Sequence, residues 1–125
     1  MSSQTFRNVQ AWQAAYGLTL AVYGVTKSFP KDELYGLTSQ IKRAAVSIPS
    51  NIAEGFGRRS VKEKDQFYSI AHGSLTEVEN QILIAKGVGY ITDAQYKELQ
   101  DKVTVTHKLL YGLRRANREK GEDVE

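Results

Sequence analysis

Two clusters of basic residues have the composition of a phosphate-binding surface. One cluster follows the second predicted helix and the other closes the fourth, and together they contain Arg58, Arg59, Lys62, Arg114, Arg115 and Arg118. Each arginine or lysine that neutralises a phosphate adds salt-sensitive, sequence-independent affinity for RNA or DNA. Cations near helix C-termini also interact favourably with the helix dipole, without any ligand. The clusters therefore predict a nucleic-acid-binding surface, with ordinary helix-end charge as the alternative.

A second group consists of polar residues spaced by about one turn along the second predicted helix, together with polar residues of the third helix that can face them. Its members are Arg43, Ser47, Asn51, Glu54, Ser74 and Glu77. Arg43 could form charge-assisted hydrogen bonds with Glu54 or Glu77. Such a strip either holds a ligand or forms a structural network, since buried polar groups must be paired. We favour the structural interpretation, in which the strip fixes helix register or seals a subunit contact.

Side chains at catalytic or metal-binding spacing do not occur in the sequence. Ser69 and Thr104 stand three positions before His72 and His107, so neither histidine belongs to the Glu-x-x-His pairs of a di-iron bundle. There is no glycine-rich phosphate loop with its lysine and no cysteine nucleophile. We therefore expect no enzymatic activity, no metal and no cofactor, and a structural role for both histidines.

Length and composition restrict the class of protein. A chain of 125 residues is one domain by length and can bury a core without disulfides. Its net charge of +3 permits binding to a polyanion but does not require it. The absence of cysteine fits a reducing compartment, and the sequence has neither an apolar signal core at its start nor an apolar run of about 18 residues. We expect a cytoplasmic protein with no membrane partner.

Helical periodicity accounts for most of the chain and defines four segments. The predicted helices run from about Asn8 to Ser28, from between Asp32 and Leu37 to near Gly55 or Gly57, from Ser60 to Gly87 and from Thr92 to about Arg118. Asn8 can cap the first helix, and capping boxes open the third at Ser60 and the fourth at Thr92. No segment has the alternation of a strand between hairpin turns.

Pro49 lies in the middle of the second predicted helix, whose apolar face continues on both sides of it. A proline inside a helix removes one backbone donor and costs roughly 3 kcal/mol, so packing must hold a helix that continues past it. We therefore predict a kink there. The short connections predict an all-α, antiparallel up-down four-helix bundle, a single domain over residues 1–125 with a frayed tail at about 119–125.

The tyrosines predict a surface that contacts another copy of the chain. Tyr16, Tyr23, Tyr35, Tyr68 and Tyr111 are too widely spread around the helices to share the inner seam of one bundle. Aromatic residues are enriched at the centres of protein interfaces. The alternative is that these rings lie at the edge of the core with their hydroxyls in water. We favour a homo-oligomer.

Five segments of the sequence have the order and spacing that are typical of one protein family. They are Trp12–Gln13, Phe29–Ile41, Arg43–Gly55, Ala71–Leu75 and Gly89–Ile91. Together they resemble the 23S rRNA intervening-sequence protein family, also called four-helix bundle protein, over about residues 6–116. The resemblance implies a left-handed up-down bundle that assembles as a homopentamer and has no enzymatic activity.

The resemblance also implies possible partners. Related proteins are the accessory variability determinants of diversity-generating retroelements, basic pentameric rings whose expected partners are nucleic acid and a reverse transcriptase. We therefore predict a non-enzymatic, homo-oligomeric accessory protein that binds RNA or DNA through the basic clusters. The alternative is a protein–protein interaction scaffold, for example for a reverse transcriptase, that makes no direct contact with nucleic acid.

Overall fold

The computed structural model describes the backbone of residues 5–124 and the side chains of residues 5–121. The described chain contains four α-helices. The helices are α1 (Gln10–Thr26), α2 (Leu37–Phe56), α3 (Val61–Gly87) and α4 (Asp93–Val124), with 3₁₀ turns at Phe6–Asn8 and Lys31–Glu33. Within residues 5–124 there is no strand. α1 packs against α2 and α4, and α3 packs against the same two helices. The prediction of an all-α protein with four helices is confirmed.

Side-chain caps fix the starts of α3 and α4. The backbone N–H of Glu63 donates to the Ser60 hydroxyl over 3.0 Å, and that hydroxyl donates to the Glu63 carboxylate over 3.1 Å. At α4, the N–H of Gln95 donates to the Thr92 hydroxyl over 3.1 Å, and the N–H of Thr92 donates to the Gln95 side chain over 2.8 Å. Each cap stabilises its helix by about 1 kcal/mol. The predicted capping box at Thr92 is confirmed, whereas at Ser60 the serine caps the helix but the Glu63 carboxylate bonds its hydroxyl instead of its backbone N–H.

Two predicted helix boundaries are wrong. Asn8 does not cap α1, because it lies in the preceding 3₁₀ turn and the N-cap position of α1 is Val9, without a side-chain bond. α4 continues past its predicted end at Arg118 as far as Val124. Tertiary contact explains the extension, since a Cβ added to Gly121 would lie only 3.0 Å from the Val61 side chain. The last turns of α4 therefore pack against the start of α3, and residue 125 lies outside the described residues.

Pro49 lies inside α2, and the helix continues on both sides of it. Because proline has no N–H, the carbonyl oxygen of Ala45 lacks the donor that normally reaches it from four residues ahead. The hydroxyl of Thr19 on α1 lies 2.9 Å from that oxygen and also 2.9 Å from the carbonyl oxygen of Ala15 in its own helix. Thr19 and Pro49 are both buried. The threonine therefore supplies the donor that the proline removes, and the contact ties α1 to α2.

The core is mostly aliphatic, with the ring of Tyr68 also buried, and is filled from all four helices. Its largest fully buried side chains include Leu18, Ile48, Leu75 and Leu110, one from each helix. Replacing such a residue by alanine typically costs 2–5 kcal/mol, by rough analogy with other cores. No helix in the described part of the chain is both long and apolar enough to cross a membrane.

Gly55 lets α2 and α3 approach closely near the end of α2. A Cβ at this position would lie 2.7 Å from Cε1 of Tyr68, closer than real side chains come. The Tyr68 ring is buried, and burial raises the pKa of its hydroxyl. Gly55 is therefore required by packing, although its sequence context indicated a helix terminus.

A single carboxylate joins two connections at the end of the bundle where α2 begins. Glu33 accepts a 2.7 Å bond from the Tyr90 hydroxyl and a 3.1 Å bond from the N–H of Leu37. These two bonds lower the pKa of Glu33, with the Tyr90 bond as the larger cause. The Tyr90 ring also packs against Phe29, with 5.4 Å between ring centroids. Glu33 thus holds the α3–α4 connection against the segment that precedes α2.

Candidate functional site

The two predicted basic clusters lie at one end of the molecule. We call this end the basic pole and define it by Arg58, Arg59, Lys62, Arg114, Arg115 and Arg118. Two contacts bring the clusters together. Asn117 donates to the carbonyl oxygen of Val61 over 3.0 Å, and Arg114 donates to Asp65 over 3.1 Å. The last turns of α4 therefore lie beside the start of α3, next to the turn that follows α2.

Three of the six cations at the basic pole are paired with carboxylates. Arg58 lies 3.2 Å from Glu54, and its guanidinium stacks 4.6 Å from the centroid of Phe67. Arg115 lies 3.1 Å from Glu119, and both of these side chains are exposed. The exposed pairs are worth little, of the order of 1 kcal/mol or less, so a polyanion could compete for them.

Arg114, the third paired cation, is the most enclosed member of the basic pole. Its side chain is only 18% exposed, and it bonds both to Asp65 over 3.1 Å and to Nδ1 of His72 over 3.2 Å. Both contacts are to side chains on α3. Arg114 therefore acts in helix packing, which the spacing of its cluster did not indicate.

The remaining three cations of the basic pole are exposed. Arg59, Lys62 and Arg118 have no carboxylate within salt-bridge distance among the side chains of residues 5–121. Lys64, nearby in sequence, behaves differently, because its ammonium donates to the carbonyl oxygen of Phe56 over 2.7 Å and closes the C-terminus of α2. Burial, and then the charge of Lys120, lower the pKa of Lys64.

The predicted polar strip between α2 and α3 forms in part. The hydroxyls of Ser47 and Ser74 lie 2.8 Å apart and join the two helices. Asn51 donates to the Ser47 carbonyl oxygen over 2.8 Å and lies 3.0 Å from its hydroxyl. Since these groups are half-buried and mutually bonded, they fix the position of α2 against α3.

The charged members of the strip do not join this network. Glu54 pairs with Arg58 in the turn that follows α2, and Glu77 accepts a 3.4 Å bond from Gln81 on α3. Arg43 is exposed, and none of the salt bridges among the described side chains includes it. The predicted pairing of Arg43 with Glu54 or Glu77 is therefore wrong, because both carboxylates bond to partners four residues further along the chain.

A continuous row of bonded side chains crosses the α3–α4 contact, and sequence reasoning missed it. We call it the histidine row: Asp65, Arg114, His72, His107 and Glu79. Nε2 of His72 lies 3.2 Å from Nδ1 of His107, and Nε2 of His107 lies 3.3 Å from the Glu79 carboxylate. Glu79 also accepts a 3.1 Å bond from Gln100. Both histidines contribute to helix packing, which agrees with the structural role expected for them.

The bonding partners determine where the two imidazoles carry their protons. Arg114 can only donate, so Nδ1 of His72 must accept and its hydrogen must lie on Nε2. That hydrogen points to Nδ1 of His107, which leaves the hydrogen of His107 on Nε2, facing Glu79. Burial, followed by the charges of His107 and Arg114, lowers the pKa of His72. Within the described residues there is no group of three or more side chains that could hold a metal ion.

α1 presents an uncharged surface to solvent. We call it the α1 face and define it by Tyr16, Gly17, Leu20, Tyr23 and Gly24. No residue from Gln10 to Thr26 is charged. Leu20 is 54% exposed, and a Cβ added at Gly17 or Gly24 would contact nothing within 4 Å. An isolated surface helix normally carries charged residues on its outer side, so this face has the character of a contact surface.

Comparison with known proteins identifies the family. A family model described as 23S rRNA-intervening sequence protein matches residues 7–112. The match includes α1, α2, α3 and the first part of α4, and it ends before Arg114, so half of the basic pole lies beyond it. No curated protein matches the chain. Because this family model matches most of the sequence, the chain belongs to the 23S rRNA-intervening sequence protein family.

Proposed function

We propose that this protein is a non-enzymatic, homo-oligomeric accessory protein of the cytoplasm that binds RNA or DNA through the basic pole. The observation that carries this proposal is the position of Arg59, Lys62 and Arg118, which are exposed at one end of the molecule without a carboxylate partner among the described side chains. Such cations release the counterions condensed on a phosphate backbone, which favours binding at low salt.

We further infer that the helices alternate in direction, so that α2 and α4 both end at the basic pole. Contacts between α3 and α4 support this topology, because rising residue numbers on one helix meet falling numbers on the other: Val61 with Asn117, Asp65 with Arg114, His72 with His107 and Glu79 with Gln100. A bend in α2 at Pro49 belongs to the same inference and is supported by the lost backbone donor.

The α1 face supports the proposed self-association. Tyr16 is 47% exposed and Tyr23 is 41% exposed, and the two rings flank Leu20 on a helix without charge. A groove of ≈ 490 Å³ next to Tyr23 is lined by Lys42 and Val46 of α2. Large rings beside open glycines give a surface on which a second helix can pack closely. The resemblance to the family suggests that five copies assemble in this way.

Light scattering after size-exclusion chromatography tests the assembly. We expect a particle of five times the 14.0 kDa chain mass for the natural sequence. Leu20→Lys places a charge in the middle of the α1 face and should reduce that mass. Leu83→Lys is the matched control, since Leu83 is a comparably exposed leucine on α3. An unchanged particle mass for Leu20→Lys would contradict the proposed surface.

Fluorescence anisotropy with labelled mixed-sequence RNA and DNA tests nucleic-acid binding. We expect binding at low salt, with an affinity that falls as salt rises. The triple variant Arg59→Ala, Lys62→Ala and Arg118→Ala should flatten the log–log salt dependence by roughly 0.9 for each duplex DNA phosphate that the protein no longer neutralises. Absence of binding by the natural protein at low salt would refute the proposal.

A charge-matched control separates a site from general attraction. Lys27, Lys31 and Lys97 are exposed and lie in the connection after α1 and near the start of α4, away from the basic pole. Replacing all three by alanine removes the same charge as the triple variant. The control should retain most of the affinity, because its lysines are far from the proposed contact. Equal losses in both triple variants would mean that the basic pole has no special role.

A scaffold for a protein partner, such as a reverse transcriptase, is the second candidate function. The pairing of Arg58 and Arg115 with carboxylates favours it, because it reduces the charge that the basic pole presents. The α1 face would then contact the partner. A natural protein that assembles normally but fails to bind RNA or DNA at low salt would support the scaffold over the first proposal.

A further inference from the structure

The histidine row has one donor and one acceptor at each of its contacts. Each of the four imidazole nitrogens in it already donates or accepts a hydrogen bond. Arg114 donates to Asp65 over 3.1 Å and to His72 over 3.2 Å. His72 and His107 then each donate from Nε2, to His107 and to Glu79. Every nitrogen that carries no hydrogen already accepts a bond. An added proton must therefore break at least one contact of the row.

The position of the added proton decides which contact breaks. A proton on Nδ1 of His72 would point at the Arg114 guanidinium, where two donors and two positive charges would meet. A proton on Nδ1 of His107 would point at the N–H of His72. That conflict is relieved if His72 moves its own hydrogen from Nε2 to Nδ1, because Nε2 can then accept from His107. The hydrogen of His72 now faces Arg114, so this arrangement breaks the bond to Arg114, as a proton on Nδ1 of His72 does.

We propose that the histidine row is a proton-operated latch: neutral His72 holds Arg114 in the α3–α4 contact, and protonation of the row releases Arg114 from His72. The charged groups that face the pair are Asp65 and Glu79 on α3 and Arg114 on α4. Once the bond to His72 is broken, Asp65 is the one remaining partner of Arg114 in the row. Arg114 lies in the basic pole, so the latch changes how firmly this cation is held at that end.

The lowered pKa of His72 agrees with this geometry and sets the direction of the pH dependence. A histidine whose pKa is lower in the folded protein than in the unfolded chain binds its proton more readily after unfolding. The stability that the row contributes is therefore complete above the ordinary histidine pKa of about 6.5 and is lost as the pH falls through the lower pKa of His72. The sequence contains two histidines, so their signals are readily assigned.

Long-range ¹H–¹⁵N NMR of the imidazoles in the full-length protein tests the latch. Above the histidine pKa, we expect both rings to carry hydrogen on Nε2, with Nδ1 unprotonated. Arg114→Met removes the donor that opposes protonation and should raise the pKa of His72. Arg115→Met is the matched control, since Arg115 pairs with Glu119 outside the row, and it should leave the pKa of His72 unchanged.

Three outcomes would overturn the proposal. The first is hydrogen on Nδ1 of either ring in the unprotonated protein. The second is a His72 pKa that Arg114→Met does not raise, and the third is an equal rise in Arg115→Met. The thermal stability of His72→Gln provides an independent readout, because this variant removes the titrating group. Its melting temperature should fall less between neutral and mildly acidic pH than that of the natural protein, and an equal fall would also count against the latch.

Discussion

Replacing Thr19 by valine tests how the protein tolerates a proline inside α2. Valine has nearly the shape of threonine and a similar helix propensity, so the substitution removes a hydroxyl with little other change. That hydroxyl lies 2.9 Å from the carbonyl oxygen of Ala45, which Pro49 deprives of its usual backbone donor. Thr19→Val therefore leaves a buried carbonyl group without its bonding partner.

The expected magnitude follows from the burial of both groups. An unsatisfied buried acceptor costs about 1–3 kcal/mol. The second contact of the hydroxyl, to Ala15, should add little, because Ala15 lies in a regular turn of α1 and can accept the backbone N–H of Thr19 itself. We expect Thr19→Val to lower the free energy of unfolding by roughly 2 kcal/mol, mainly through Ala45.

A double-mutant cycle with Pro49→Ala isolates this effect. Alanine at position 49 restores a backbone N–H that can donate to Ala45, so Thr19→Val should cost less in that background. We expect a coupling free energy of about 1–2 kcal/mol between the two positions. Urea unfolding followed by circular dichroism measures it, with all variants at one protomer concentration because assembly affects apparent stability.

Thr26→Val is the matched control for the cycle. Thr26 is also a buried threonine of α1, but its hydroxyl donates to Tyr23 in the same helix over 3.1 Å. We expect it to show no coupling with Pro49→Ala. If Thr19→Val costs the same with proline or alanine at position 49, the hydroxyl does not replace the missing donor and the explanation of α2 is wrong.

Three further variants test the packing of the helices. Gly55→Ala should lower the free energy of unfolding by roughly 1–3 kcal/mol, because the added Cβ would overlap Tyr68; unchanged urea unfolding would contradict this. Gly17→Ala combined with Gly24→Ala should favour α1 by roughly 1 kcal/mol per site and yet weaken assembly, since both glycines belong to the α1 face. If the variant is more stable and its particle mass in light scattering is unchanged, the two glycines are not part of the subunit contact. Asn51→Leu removes the bonds to Ser47 and should lower the melting temperature, and an unchanged melting temperature would mean that these bonds within α2 do not stabilise the polar strip.

Local signals in the sequence predicted most of the fold. The caps at Ser60 and Thr92 depend on residues three positions apart, and both residues cap their helices as predicted. Helical periodicity likewise predicted the four helices of the described residues. Asn8 failed as a cap because a 3₁₀ turn occupies Phe6–Asn8, and the end of α4 was missed because contact with Val61 extends it. Both errors arose where tertiary contact or a short turn overrides local preference.

The candidate site was harder to predict, because its bonds join residues that are far apart in the sequence. The hydroxyl of Thr19 reaches Ala45, and His72 reaches His107, without any periodic signal that connects them. Charge alone placed Arg114 in a binding surface, whereas its bonds to Asp65 and His72 place it in the α3–α4 contact. Sequence composition predicts where charge lies, but the pairing of each charge depends on how two helices meet.

The two hydrogen bonds that the Glu33 carboxylate accepts have a practical consequence for engineering. Its two carboxylate oxygens reach Tyr90 and the N–H of Leu37, so one side chain spans the approach to α2 and the connection that leads into α4. A peptide tag or reporter grafted into either connection would have to leave both anchor points at their present separation.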